Sequence, residues 1–135
     1  MLPKIYYDAS PKGWFCVVDS YGKVHFERVD RLLKTFNLPR TLITNNTSQR
    51  AEYGSLLYAL TFVKNYDEHI LIGDNENVVF QMNGINKVKS LEMRKLYSTT
   101  QKYINTRGLD ILFDHVLRDS NIAGIKLDDF MKVKK

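Results

Sequence analysis

Two three-residue turns near the start of the chain decide most of what it can become. Pro11–Gly13 and Ser20–Gly22 separate three runs rich in β-branched and aromatic residues: residues 4–9, WFCVVDS (14–20) and KVHFERV (23–29). Connections this short join only antiparallel neighbours, so the three runs form a meander. The pattern then changes. DRLLKTFNLPR (30–40) reads as a short helix ended by Asn37 and Pro39. TSQRAEYGSLLYALTFVKNY (47–66) has apolar residues at Tyr53, Leu56, Leu57, Leu60 and Val63, a helical spacing, with Thr47 or Ser48 placed as its cap. HILIGD (69–74) is continuously apolar, as a strand buried on both faces must be. ENVVFQMNG begins another helix, and SLEMRKLYSTTQKYINTRG (90–108) is a long one with a glycine stop. LDILFDHVL is the last strand, and NIAGIKLDDFMKVK the last helix, with Asn121 as its cap. The order β-β-β-α-β-α-β-α predicts an α/β (α+β) fold: a five-stranded mixed sheet with helices packed on it.

A chain of 135 residues suits one domain, residues 1–135, with one core. With 44% hydrophobic and 26% charged residues it has an ordinary globular composition. No apolar run approaches the ~20 residues that span a bilayer, and MLPKIYYDAS has no signal-peptide core. A cytoplasmic location and no membrane partner are the expectation. The single cysteine, Cys16, lies in the apolar run WFCVV and reads as a core residue. Lysine and arginine number 20 against 15 acids, a net charge of +5, which favours a polyanionic partner.

Three acids fall at comparable places. Asp8 ends the first strand, Asp74 ends the HILIGD strand, and Glu52 lies early in the first long helix. If those two strands are neighbours, Asp8 and Asp74 meet at one sheet edge, and the helix brings Glu52 above them. Crowded carboxylates repel, and a raised pKa or a bound cation relieves them. An all-oxygen set suits Mg²⁺ or Mn²⁺, and two such ions ~4 Å apart promote phosphodiester cleavage. The plainer alternative makes each acid a strand-end cap or a solvated charge.

The motifs carry a family resemblance. IYYDAS resembles the first motif of ribonuclease H, a strand ending Asp-Gly-Ser, with Ala9 in the glycine place. TSQRAE (47–52) is similar to the family's Thr-Asn-Gln-Arg-Ala-Glu, with Ser48 for the asparagine. Residues 73–97 resemble the strand-helix segment of the plant and archaeal-like branch, with Asn75 in place of a serine, and HVLRDSN (115–121) resembles the last strand and its turn. The resemblance is to ribonuclease H type 1. It implies an endonuclease that cuts the RNA strand of RNA–DNA hybrids with two Mg²⁺ ions. Asp8, Glu52 and Asp74 match three of the four family carboxylates. Ser48, Gln49 and Arg50 fall where the family contacts the minor groove, whose 2′-hydroxyls accept polar side chains. Ser10 and Asn75 are added to the hybrid-contacting set, although a turn hydroxyl serves Ser10 equally well.

The last helix departs from the family pattern Asn-x-x-Ala-Asp-x-Leu-Ala. Pairing Asn121 with the asparagine puts Ile125 in the aspartate place. Asp128, three residues on, is the expected fourth carboxylate, with Asp129 as the other option, Asp119 in the preceding loop, and a three-carboxylate site as the alternative. The loop before that helix has no histidine, and His25, His69 and His115 all read as structural. Arg31, Lys34 and Arg40 lie in a long link that reads as a solvated insertion, and Lys87, Lys89, Arg94, Lys95 and Lys102 as a wet helix face. The runner-up function is a ribonuclease H-like module without activity that binds nucleic acid or protein. A third keeps the nuclease and changes its substrate.

Overall fold

The computed structural model describes residues 2–39, 48–64 and 67–133. Its five strands are β1 (Lys4–Ala9), β2 (Trp14–Val18), β3 (Val24–Arg28), β4 (Glu68–Gly73) and β5 (Asp110–His115). Among the described residues five α-helices accompany them: α1 (Val29–Phe36), α2 (Ser48–Leu60), α3 (Glu76–Met82), α4 (Leu91–Arg107) and α5 (Ile122–Val133). The cap expected at Thr47 or Ser48 lies outside the described residues, as do Arg40 and the side chain of Ser48.

The strands form one sheet in the order β3-β2-β1-β4-β5. The meander is present: β1–β2 and β2–β3 pair antiparallel, closed by hydrogen bonds from Ser10 N to Trp14 O (2.8 Å) and from Asp19 N to Lys23 O (2.9 Å). The Asp19 carboxylate accepts from the Tyr21 and Lys23 amides, which fixes the second turn. β4 pairs parallel with both β1 and β5. Its continuous apolar run reflects that central position. β5 is an edge strand and alternates exposed and half-buried residues.

Helix ends follow the sequence. Asn37 ends α1 in the left-handed conformation (φ 53°), and Gly108 ends α4 likewise. Asn75 caps α3 by accepting from Val78 N, and Ser90 caps α4 by accepting from Met93 N. One boundary moves: Val29, expected in the third strand, opens α1. Its side chain is buried and its amide donates to Gly13 O (3.0 Å).

The sheet is covered on both faces. One face carries Ile5, Tyr7, Phe15, Val17 and Leu71 against α2, α1 and α4. Residues 52–57 of α2 are all buried, so this helix is enclosed rather than lying at the surface. On the other face α5 sets Ala123 and Leu127 on Cys16 and Val18, with Phe130 stacked on Phe26. Among the described residues no helix is long and apolar enough to cross a membrane.

The register sets up the functional end. Tyr6 lies opposite Ile72 across the parallel pair, so Tyr7 runs beside Gly73 and Asp8 beside Asp74. A Cβ on Gly73 would come within 2.6 Å of the Tyr7 hydroxyl oxygen and closer still to its ring, so only glycine lets β1 and β4 close there. Gly73→Ala is therefore expected to cost about 1–3 kcal/mol by overpacking, read as a lower urea midpoint at unchanged slope.

Candidate metal centre

Three elements deliver three carboxylates to one point. Asp8 sits on the α5 face of the sheet near the end of β1, as its pairing with Cys16 dictates. Asp74 follows the last residue of the neighbouring parallel strand, β4. Glu52 reaches in from the first turns of α2, held by the Ala9 amide, which donates to its Oε1 (3.3 Å). One oxygen from each of the three lies within 4.8 Å of the other two.

The electrostatics are adverse. Asp8 is 0% exposed and Glu52 5%. Both oxygens of Asp8, and Oε2 of Glu52, are buried without a hydrogen-bond partner. Burial, aided by the charge of Asp74, pushes Asp8 from 3.8 up to about 6, against the pull of Glu52 and Arg118. Burial, with Asp8 and Asp74, holds Glu52 well above the usual carboxylate range. Buried, unpartnered carboxylate oxygens converging on one point fit a hard divalent cation, and the donor set holds no thiolate or imidazole that would select a softer one.

The rest of the site is built around these acids. Asn121, fully buried, donates from Nδ2 to the Tyr7 carbonyl (3.0 Å) and to Asp74 Oδ2 (2.9 Å), while its Oδ1 accepts from Ala123 N (3.1 Å). It caps α5, as expected from sequence, and also ties α5 to β1 and to Asp74. Gly124 follows in the first turn of α5. A Cβ there would lie 3.1 Å from Asp8 Oδ2 and 3.6 Å from Asp74 Oδ2. Ile125, paired with the fourth family carboxylate, is 47% exposed.

Arg118 supplies positive charge. It sits in a single 3₁₀ turn, Arg118–Ser120, between β5 and α5. Its Nη1 is 3.6 Å from both Asp8 Oδ2 and Asp74 Oδ2. Its Nη2 donates to Asp128 Oδ1 at 3.3 Å. Asp128, the expected fourth carboxylate, is thus not in the three-acid group. It is exposed and is linked to that group through the guanidinium.

The residues expected to contact a hybrid are spread around this end. Ser10 is buried, and its hydroxyl accepts from Lys12 N in the first turn. Gln49 and Arg50 are half-buried on the first turn of α2, and Arg50 pairs with Glu92 at 3.5 Å. Asn75, next to Asp74, is occupied as the cap of α3. The histidines have structural partners: His25 with Asp19 (2.8 Å), His69 with the Asp67 carbonyl (2.9 Å) and His115 with the Asp74 carbonyl (3.3 Å). Sequence reasoning missed Arg118 and Gly124 as parts of the centre. Arg118 had a trace, a lone cation in the loop where a histidine was sought. Gly124 had none beyond being a glycine inside a helix.

The family model described as "Reverse transcriptase-like" matches residues 22–127. The chain belongs to the reverse transcriptase-like family. No curated protein sequence matches it. Among solved structures, the N-terminal RNase H domain of a Mycobacterium tuberculosis protein aligns over 93% of this chain and 95% of its own, at 21% identity and TM-score 0.61. RNase H1 from Halobacterium salinarum aligns over 93% and 97%, at 21% identity and TM-score 0.63. LC11-RNase H1, isolated from compost by a metagenomic approach, aligns in its complex with an RNA/DNA hybrid over 95% and 98%, at 20% identity and TM-score 0.65. This member of the reverse transcriptase-like family thus has the ribonuclease H fold, and the resemblance to ribonuclease H type 1 drawn from its motifs is borne out.

The raised pKa of Asp8 has a consequence for stability. Its folded value exceeds its ordinary one, so the folded protein holds this proton more tightly than the unfolded chain does. Stability from this group then falls as pH rises from about 4 through about 6 and stays lost above. In chelator, Asp8→Asn is expected to stabilise the protein by on the order of 2 kcal/mol at pH 7.5 and by much less at pH 4.5, measured by thermal unfolding. Gly124→Ala is expected to raise helix propensity yet weaken Mn²⁺ binding, measured by calorimetric titration, because its methyl group presses on Asp8 Oδ2.

Proposed function

We propose that the chain is a divalent-metal-dependent endoribonuclease that hydrolyses the RNA strand of RNA–DNA hybrids. One observation carries the reading: three carboxylates with buried, unpartnered oxygens within 4.8 Å of one another, at the end of the central strand pair of a ribonuclease H fold. The RNA/DNA hybrid held by the solved LC11-RNase H1, together with the net +5 charge, supports a hybrid as the polyanionic substrate.

Asp8, Glu52 and Asp74 are the groups that would hold Mg²⁺ or Mn²⁺. When bound, such an ion polarises a phosphoryl oxygen and acidifies water. The chain's own residues do the rest. Asp8, the most buried of the three, would be one of the ion's ligands. Glu52 is oriented by the Ala9 amide and so presents Oε2 to the centre. Asp74 is oriented by Asn121 and, as the least buried of the three, faces the side from which water and substrate arrive. Arg118 is more than half exposed and turns a guanidinium toward the same opening, where it suits a phosphate oxygen. Gln49 and Arg50, with Ser48, lie at the start of the helix that carries Glu52, which suits them to a minor groove whose scissile phosphate sits over the acids.

A second reading, a binding module without chemistry, is favoured by Arg118, which meets the charge of Asp8 and Asp74 without any metal.

The two readings separate in one assay. A labelled RNA–DNA hybrid is incubated with the protein in Mg²⁺, Mn²⁺ or chelator, beside duplex RNA, duplex DNA and Asp8→Asn. Cutting confined to the RNA of the hybrid is expected, dependent on the metal and reduced at least ~100-fold in Asp8→Asn. No cutting in either metal, with hybrid binding retained, would establish the module instead.

A further inference from the structure

Arg118 touches three acids at once. Its Nη1 lies 3.6 Å from Asp8 and 3.6 Å from Asp74, and its Nη2 3.3 Å from Asp128. These pairs are not equivalent. The Asp128 pair is exposed on both sides and weak on general grounds. The other two reach the fully buried Asp8, whose oxygens have no hydrogen-bond partner, and the largely buried Asp74, which otherwise accepts from Asn121. A guanidinium stays charged at any working pH, so this positive charge cannot be titrated away.

The side of the centre that faces α5 is short of ligands. Ile125 offers no oxygen, and it stands where the family resemblance puts a fourth carboxylate. Gly124, whose Cβ position would face Asp8 Oδ2, offers no side chain at all. Asp128 is exposed and stands outside the three-acid group, with the guanidinium between. A second divalent ion would therefore meet a cation where it needed a carboxylate. The same acids would have to satisfy four positive charges from two ions and a fifth from Arg118.

We propose that Arg118 is the second positive charge of this centre, and that the centre accordingly takes one divalent ion. The inference rests on the nuclease reading and narrows it, since the two ions implied by the family resemblance become one ion and a guanidinium. Arg118 then has two duties. It balances Asp8 and Asp74 in the absence of substrate, and its exposed edge pairs with a phosphate oxygen as negative charge builds there.

The test is a Mn²⁺ titration of the full chain, read by calorimetry and by electron paramagnetic resonance of the free ion, on wild type, Arg118→Met and Arg118→Lys. Thermal unfolding verifies that each variant is folded. Wild type is expected to saturate at one Mn²⁺. Arg118→Met is expected to bind its ion more tightly, on the order of tenfold, because a like charge has been removed from beside the ligands. Arg118→Lys keeps the charge and stays near wild type in affinity. Hybrid cleavage is expected to fall in Arg118→Met despite the tighter ion and to recover in part in Arg118→Lys. Saturation of wild type at two ions, absence of Mn²⁺ binding, or an affinity unmoved by Arg118→Met would each overturn the inference, whether or not the hybrid is cut. The titration unfolding as expected while the hybrid stays uncut would sink the nuclease reading and leave Arg118 as the second charge.

Discussion

A carboxylate buried without a hydrogen-bond donor is the constraint on which this end of the molecule depends. Asp8 has no solvent exposure, and neither of its oxygens is bonded. Leaving such a group ionised is costly unless its surroundings supply positive charge. Much of what surrounds it answers that demand. Glu52 accepts from the Ala9 amide, so that one of its oxygens is satisfied. Asp74 is held by Asn121. Arg118 leans in from the loop before α5. Gly124 leaves room where any side chain would crowd the acid. Packing alone gives no reason to gather three acids at the seam of a sheet, and the arrangement makes sense as a socket for positive charge.

The scaffold makes the gathering precise. Parallel pairing of β1 with β4 aligns Asp8 with Asp74, and Gly73 allows the aligned strands to approach over the Tyr7 ring. The buried bond from the Tyr53 hydroxyl to Gln81 Oε1 (2.6 Å) ties α2 to α3, fixing the helix that carries Glu52 to the one that starts beside Asp74. Asn121 links the start of α5 to β1 and to Asp74 at the end of β4. Helices on both faces of the sheet thus set the acids from above and below, and no acid depends on a long free loop for its position.

Much of this was legible in the sequence because it is local. Turn residues announced the meander, an unbroken apolar run announced the central strand, and Asn37, Asn121 and Gly108 marked helix ends. The three clustered acids were legible for a further reason: strand ends and a helix start are places that topology brings together. What was not legible depends on reach and rotation across the fold. Neighbouring residues on a helix differ by about 100° in direction, so a sequence pairing that singles out Ile125 says little about Gly124, which is the residue against Asp8. Asp128 offered the right chemistry one turn along, but the distance is bridged by Arg118, and a long flexible side chain leaves no periodic trace. Asn75, chosen from its place in a motif, is occupied as a cap. Val29 changed element because its amide and side chain find partners in the first turn and the core, which strand propensity does not weigh.

The bond from Asn121 to Tyr7 joins residues 114 positions apart. The pairing of β1 with β4, which sets Asp8 beside Asp74, is made without α5 or the turn that leads into it. Arg118 and Asn121, which answer those two acids, both come from the stretch that leads into α5. The charge balance of the strand ends is therefore supplied from the far end of the chain, and whatever loosens the seat of α5 on the sheet uncovers the acids as well.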